Sequence, residues 1–258
     1  MKLDWTVPGW PAPAHVRAVC TTRAGGVSEA PFDSLNLGDH VGDAAACVVE
    51  NRTVLQRVIS AKPVFLKQVH GTKIVSLTDE SVHGTEADAC ISTQSGVACT
   101  IMVADCLPVL FTNRAGSFVA AAHAGWRGLA GADGAGVLEA TFESILATTT
   151  MASDTMAWLG PCIGSAQFEV GSEVRDAFAS SSAAALRHFT PTAGGKWVAD
   201  LRGLARQRLK ALGLTQIYGN DGSAAWCTVS QTSRFFSHRR DSVSLGGSGR
   251  MAACIWLA

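Results

Sequence analysis

The chain has 258 residues, 47% hydrophobic and 16% charged, enough apolar material for a substantial core. Its 21 basic and 21 acidic residues cancel, and no basic stripe stands out. That balance argues against a general binder of nucleic acid or acidic membranes and favours a small, uncharged or locally paired ligand.

The opening stretch, MKLDWTVPGWPAPAH, lacks a basic segment followed by an apolar run and does not read as a secretion signal. Short apolar runs predict strands at Val16–Thr21, Val64–Val69, Lys73–Leu77, Ala89–Ser92 and Val97–Val103. Further strands are expected at Pro108–Thr112, Ser117–His123, Met156–Gly160, Gln216–Gly219 and Met251–Leu257. Between them, Asp43 is expected to cap a helix carrying Val48, Arg52, Leu55 and Ile59, which ends before Pro63. Val137, Leu138, Thr141, Phe142, Ile145 and Leu146 form an apolar stripe at helical spacing. Asp200 opens another helix, with Leu201, Leu204 and Leu212, closed by Gly213.

Strands and helices alternate, but several neighbouring strands read as hairpins. The expected fold is therefore α/β, of α+β type: a single domain over residues 1–258 with a mixed β-sheet flanked by helices. The most apolar region, Val97–Phe111, is broken by Asp105 and Pro108 and is too short for a bilayer span. Eight cysteines without a CxxC pair read as reduced thiols, and the cytoplasm is the expected compartment.

Three soft or borderline metal ligands stand where strands give way to turns. His70 ends FLKQVHG, Cys106 sits in the break of TIMVADCLPVLF, and His123 precedes the glycines of AAAHAGWRG. They are 36 and then 17 residues apart, a separation with no diagnostic spacing. Three protein ligands with an open fourth position describe a catalytic zinc site rather than a structural one. The plain alternatives are satisfied polar histidines and a cysteine acting as a small buried hydrophobe.

Other chemistries lack their residues. Zinc nucleobase deaminases need H-x-E and P-C-x-x-C, whereas His123 is followed by Ala124 and Gly125, and PCIG has no second cysteine. The seven histidines include no H-x-H pair, so a multicopper centre has no ligands to draw on. Neither a Walker loop nor a nucleophile elbow is present. The glycines after His123, with Arg127 beside them, can offer backbone N–H groups to an anion or simply make a tight turn. SLNLGDHVGD, with Asn36, His40 and Asp43, reads as a loop, and the HRRD run at His238–Asp241 as a surface charge cluster.

In order along the chain, TTRAGGVSEAPFDSLNLGDHVGD, LKQVHG, ADCLPVLF, HAGWRG, WLGPCIG and CTVSQTSRFFSHRRDS…SGRMAACIWL resemble the laccase-domain family, also called the multicopper-polyphenol-oxidase or peptidoglycan-editing-factor family. The resemblance implies a mixed α/β fold with one zinc on His70, Cys106 and His123. It also implies purine nucleoside phosphorylase activity on adenosine, inosine, guanosine and methylthioadenosine, with accompanying adenosine deaminase activity. Asn36 and Arg52 are the nucleoside contacts it suggests. Relatives usually place an aromatic before RRD and follow a shorter path to GRM; this chain departs with His238 and the longer SVSLGGSGRM.

On that reading Cys106 binds as thiolate and leaves a site of net single positive charge, still able to activate water. Zinc brings a bound water's pKa from ~16 to roughly 7. Arg52, Arg127 or the Arg239–Arg240 pair would hold phosphate, Asp105 would carry a proton, and Gln68 would hydrogen-bond the substrate. Purine nucleosides and phosphate are the expected partners, with no nucleic acid and no membrane. Two other classes compete. One is a phenol oxidase holding copper on the same three residues. The other is a metal-free hydrolase or amidase using Cys106 and a histidine on peptidoglycan precursors.

Overall fold

The structure, a computed structural model, describes residues 4–132, 134–148 and 154–258. Two mixed sheets stack face to face. In the first, β1 (Val16–Cys20), β13 (Met251–Leu257), β5 (Val97–Val103) and β2 (Lys62–Phe65) lie in that order. In the second the order is β12 (Gln216–Gly219), β8 (Thr155–Leu159), β6 (Leu107–Asn113), β7 (Val119–Ala124), β4 (Ala89–Ser92) and β3 (Ile74–Ser76). Parallel pairs (β2 with β5, β3 with β4, β12 with β8) sit among antiparallel ones. The expected mixed sheet is therefore present twice.

Alternation along the strands explains the stacking. Val97, Cys99, Ile101 and Val103 of β5 and Met251, Ala253 and Ile255 of β13 face the second sheet, meeting Leu110, Val119, Ala121 and Trp158. Their neighbours Ala98, Met102, Ala252 and Trp256 face the other way, onto α1 (Ala45–Ile59). The outer face of the second sheet packs on α3 (Val137–Thr148) and α5 (Leu201–Ala211). Because both faces of β5, β6 and β7 are covered, these strands read as continuous apolar runs.

One helix end differs from expectation. Residue Ala44, not Asp43, is the N-cap of α1, because Asp43 is drawn inward by Ser28 and Asn36, whose side chains donate to its Oδ2. Asp200 caps α5 as expected, accepting from the Gly203 N–H, and Gly213 takes a left-handed φ of 88° just past its end. A small three-stranded sheet, β10 (Phe189–Pro191), β11 (Trp197–Ala199) and β9 (Glu169–Val170), was not foreseen. Nor were the short helices α2 (Trp126–Ala130) and α6 (His238–Ser244), whereas α4 (Ser172–Ala179) ends at the SSSAAA stretch, which reads as a helix end. All eight cysteines are free. Among the described residues no helix is long and apolar enough to cross a membrane.

Candidate metal centre

Strand ends assemble the site. Cys106 immediately precedes β6 and His123 is the penultimate residue of β7, and the β6–β7 hairpin pairs Pro108 with His123. His123 lies on the same face of β7 as Val119 and Ala121, so its ring enters the space between the two sheets. His70 arrives from the loop joining β2 to β3. The ligand atoms of His70, Cys106 and His123 all lie within 4.8 Å of one another. Cys106 Sγ is 3.6 Å from His70 Nε2, and the two imidazoles meet edge to face at 4.7 Å.

A residue that sequence reasoning missed organises this trio. Asp88, completely buried just before β4, accepts from His123 Nδ1 at 2.8 Å. The same carboxylate receives the successive backbone N–H groups of Val69 (3.2 Å), His70 (2.9 Å) and Gly71 (2.7 Å). Three converging N–H groups make an anion-binding concavity, here filled by the protein's own carboxylate. They also hold His70 at φ 61°, a left-handed conformation costing a residue with a side chain about 1–3 kcal/mol. The signal was available in register: β4 pairs with β7 so that Ala89 faces Ala122, which puts Asp88 opposite His123.

The electrostatics follow from these contacts. Burial pushes the Asp88 carboxyl up, but the His123 hydrogen bond and charge and the backbone N–H groups overcome it and hold it below the usual range. Burial likewise raises the Cys106 thiol, yet His123 and His70 pull it down to about 6. His123 is opposed by burial but supported by Cys106 and Asp88, and rises to about 9. Without a metal, the site is thus a thiolate beside an imidazolium.

These residues fit a metal ion. With Nδ1 tied to Asp88, His123 presents Nε2 to the site, the carboxylate–histidine arrangement that orients and strengthens a metal ligand. Two imidazoles and a thiolate suit zinc and also copper. Gly125, which precedes α2, leaves the needed space: a Cβ there would lie 2.6 Å from His70 Cδ2 and 3.0 Å from Cys106 Sγ.

The trio opens into a cavity of about 300 Å³, at the small end of ligand sites. His40, Gln68, Met102, Arg127, His238 and Arg250 share its wall. A larger cavity, about 650 Å³, lies between the N-terminal segment, β1 and the end of α1, remote from the trio.

The remaining sequence candidates divide. Arg127 reaches the cavity and stacks on Trp126 at 4.4 Å, with Trp126 half-buried. Gln68 also lines it, but both ends of its amide bond the Met102 backbone at 2.8 Å, pinning the loop to β5. Asn36 is fully buried; its amide serves Gly38, Asp43 and the Arg250 N–H. Arg52 donates to the Leu37 carbonyl, pairs with Asp39 at 3.2 Å and lies over Phe65. Asp105 sits at φ 90°, in the expected break between two apolar strands, and accepts from Thr228 Oγ1 (2.5 Å) and the Arg239 N–H (2.7 Å). Arg239 donates to the Glu169 carbonyl through both terminal nitrogens. Arg240 spends all its donors on Thr228, Val229, Phe235 and Asp241.

The profile of the family described as multi-copper polyphenol oxidoreductase laccase matches residues 17–258. The chain belongs to this family. It is 51% identical to purine nucleoside phosphorylase PA4543 of Pseudomonas aeruginosa over 254 residues, covering 98% of each chain. It is 49% identical to purine nucleoside phosphorylase YfiH of Escherichia coli, covering 97% of this chain and 98% of that one. Among solved structures, Neisseria meningitidis protein NMB0706 superposes with a TM-score of 0.89 at 43% identity, covering 98% and 99% of the two chains. YlmD from Geobacillus stearothermophilus gives 0.80 at 32% identity, covering 95% and 92%.

Proposed function

We propose that this laccase-family chain is a zinc-dependent purine nucleoside phosphorylase acting on adenosine, inosine, guanosine and methylthioadenosine, with accompanying adenosine deaminase activity. The observation that carries the reading is the His70–Cys106–His123 trio, oriented by Asp88 and open to a small cavity whose wall holds arginines and histidines but no carboxylate. The names of the curated relatives supply the substrate class. Residues 1–258 act as one domain.

In phosphorolysis a phosphate oxygen bonds to ribose C1′ as the C1′–N9 bond breaks. The electron pair leaves with the base, and the proton of hydrogen phosphate ends on the released purine. The chain must therefore hold an anion beside the sugar and exclude competing water. Arg127 stands in the cavity for the first task, and the buried β5 and β6 ends wall the site for the second. Zinc, held by His70, Cys106 and His123, would supply a Lewis acid and a lowered water pKa, the chemistry that deamination at purine C6 requires.

A second reading has one observation in its favour: Cys106 Sγ lies 3.6 Å from His70 Nε2, and its thiol is pulled to about 6, the pattern of an activated nucleophile. Chromatography of adenosine incubated with the protein separates the two. Adenine formed only with phosphate, lost on chelation and restored by zinc, is the expected result. Inosine with and without phosphate would add the deaminase activity. Untouched adenosine would sink the phosphorylase reading, and hydrolysis of another substrate surviving chelation would favour the cysteine nucleophile.

A further inference from the structure

The cavity wall carries Arg127, Arg250, His40 and His238 and no aspartate or glutamate. The carboxylates around it are already engaged: Asp88 accepts from His123 and from three backbone N–H groups. Asp39 pairs with Arg52 at 3.2 Å, and Asp105 accepts from Thr228 and the Arg239 N–H. A wall of this composition calls for an anion, and arginine is the side chain whose paired donors match a phosphate.

Arg250, the residue before β13, is the cation best built for that task. Its backbone N–H donates to Asn36 Oδ1 at 2.8 Å and its carbonyl accepts from the Leu37 N–H at 3.0 Å. The side-chain stem runs against Gly38, where a Cβ would come within 2.7 Å of Arg250 Cγ. Nη1 donates to the carbonyls of Ser248 (2.8 Å) and Gly249 (3.0 Å). These bonds fix the guanidinium plane, and among the described residues no acceptor meets Nε or Nη2. Arg52, Arg239 and Arg240, by contrast, direct their guanidinium donors to carbonyl and carboxylate oxygens of the protein. Asn36 is thus the platform under Arg250.

We propose that Arg250 anchors the phosphate co-substrate through the Nε–Nη2 edge of its guanidinium, with Arg127 and His238 as the further donors of the same wall. The assignment rests on the phosphorylase reading above. It gives the anion a fixed, preorganised partner on the first sheet, while the metal ligands come from the second sheet and its loops.

The test is steady-state phosphorolysis with inorganic phosphate and adenosine varied independently, for the wild type, Arg250→Gln and Arg250→Lys. Losing a charge-assisted pair of bonds should raise the phosphate KM of Arg250→Gln roughly 10- to 100-fold, with the adenosine KM little changed. Arg250→Lys keeps the charge and the stem but not the paired donors, so its phosphate KM should also rise, to a smaller extent. It carries the test should the glutamine variant fail to fold. Titration of phosphate alone into each protein should show the same order of affinities. A folded variant with wild-type phosphate KM would overturn the anchor while leaving the phosphorylase reading in place. Wild-type turnover that ignores phosphate would remove that reading, and the anchor with it.

Discussion

Asp88 and His123 are joined twice. The His123 N–H donates to the Asp88 carbonyl at 2.7 Å, and the His123 ring donates from Nδ1 to the Asp88 carboxylate at 2.8 Å. The first bond is the β4–β7 ladder running past its last named pair; the second uses that register to choose which ring nitrogen faces the ligands. Since the same carboxylate gathers the N–H groups of residues 69–71, one buried acid positions two residues of the His70–Cys106–His123 trio.

Replacing Asp88 with Asn keeps the shape but lets the amide accept at only one oxygen. Zinc affinity, read by competition with a chelator, should fall about 10- to 100-fold, the usual cost of losing a partner behind a metal-bound histidine. A folded Asp88→Asn protein with wild-type zinc affinity would show that the trio is oriented by its strands alone.

The pH dependence of metal binding follows from the two shifted groups. Cys106 titrates near 6, below its ordinary 9.0, and His123 near 9, above its ordinary 6.5. Between those values the metal-free site holds a thiolate and an imidazolium, so binding must displace the one proton on His123. Affinity should climb about tenfold per pH unit across that window and level off above it. Below about 6 the thiol proton competes too, and the slope should steepen. In the same metal-free protein, alkylation of Cys106 should reach half its maximal rate near pH 6, and bound zinc should protect it. An affinity flat across the window would refute the ion pair.

Gly125 has φ −68°, a conformation open to any residue, so only space keeps a side chain out. The Cβ of Gly125→Ala would press on His70 and Cys106 at once. Overpacking of about 1–3 kcal/mol, directed at two ligands, should weaken zinc binding roughly tenfold or more and lower the melting temperature by roughly 2–4 °C per kcal/mol. Gly9→Ala, whose Cβ meets nothing within 4 Å, is the control. Equal zinc affinity in both variants would mean the ligands yield freely.

How far the sequence could be read depended on range. Strands β4, β5, β12 and β13 lie where the apolar runs put them, because each is long enough for alternation or a continuous run to show. Strands β9, β10 and β11 are two or three residues long and carry no period to detect. The trio was visible as ligand types at turns, whereas Asp88 was not. A lone aspartate before an apolar strand reads as turn chemistry until β4 and β7 are placed in register. Arg240 and Arg250 show the same limit from the other side. Sequence does not tell these two arginines apart, and only the folded carbonyls around them reveal that one is spent and the other has free donors.

Asp105 is the residue whose role the structure recasts most. Its carboxylate accepts from Thr228 and from the Arg239 N–H, and its carbonyl accepts from the Ile163 N–H at 2.9 Å. It thereby ties the bend before Cys106 to α6 and to the segments around residues 163 and 228. A carboxylate held by two donors is a poor proton carrier, so its contribution is positional. Asp105→Asn leaves one of those donors facing an amide N–H₂, at a cost of about 1–3 kcal/mol. For a chain of this size that corresponds to a fall in melting temperature of roughly 2–4 °C per kcal/mol. The pH profile of kcat should keep both its limbs, with only a modest drop in its height. A general acid–base residue would behave otherwise: its loss removes a limb and lowers kcat about 10²- to 10⁴-fold. Measuring the profile and the melting curve on the same preparation decides between the two, because a lost limb in a protein that melts normally would make Asp105 the proton carrier after all.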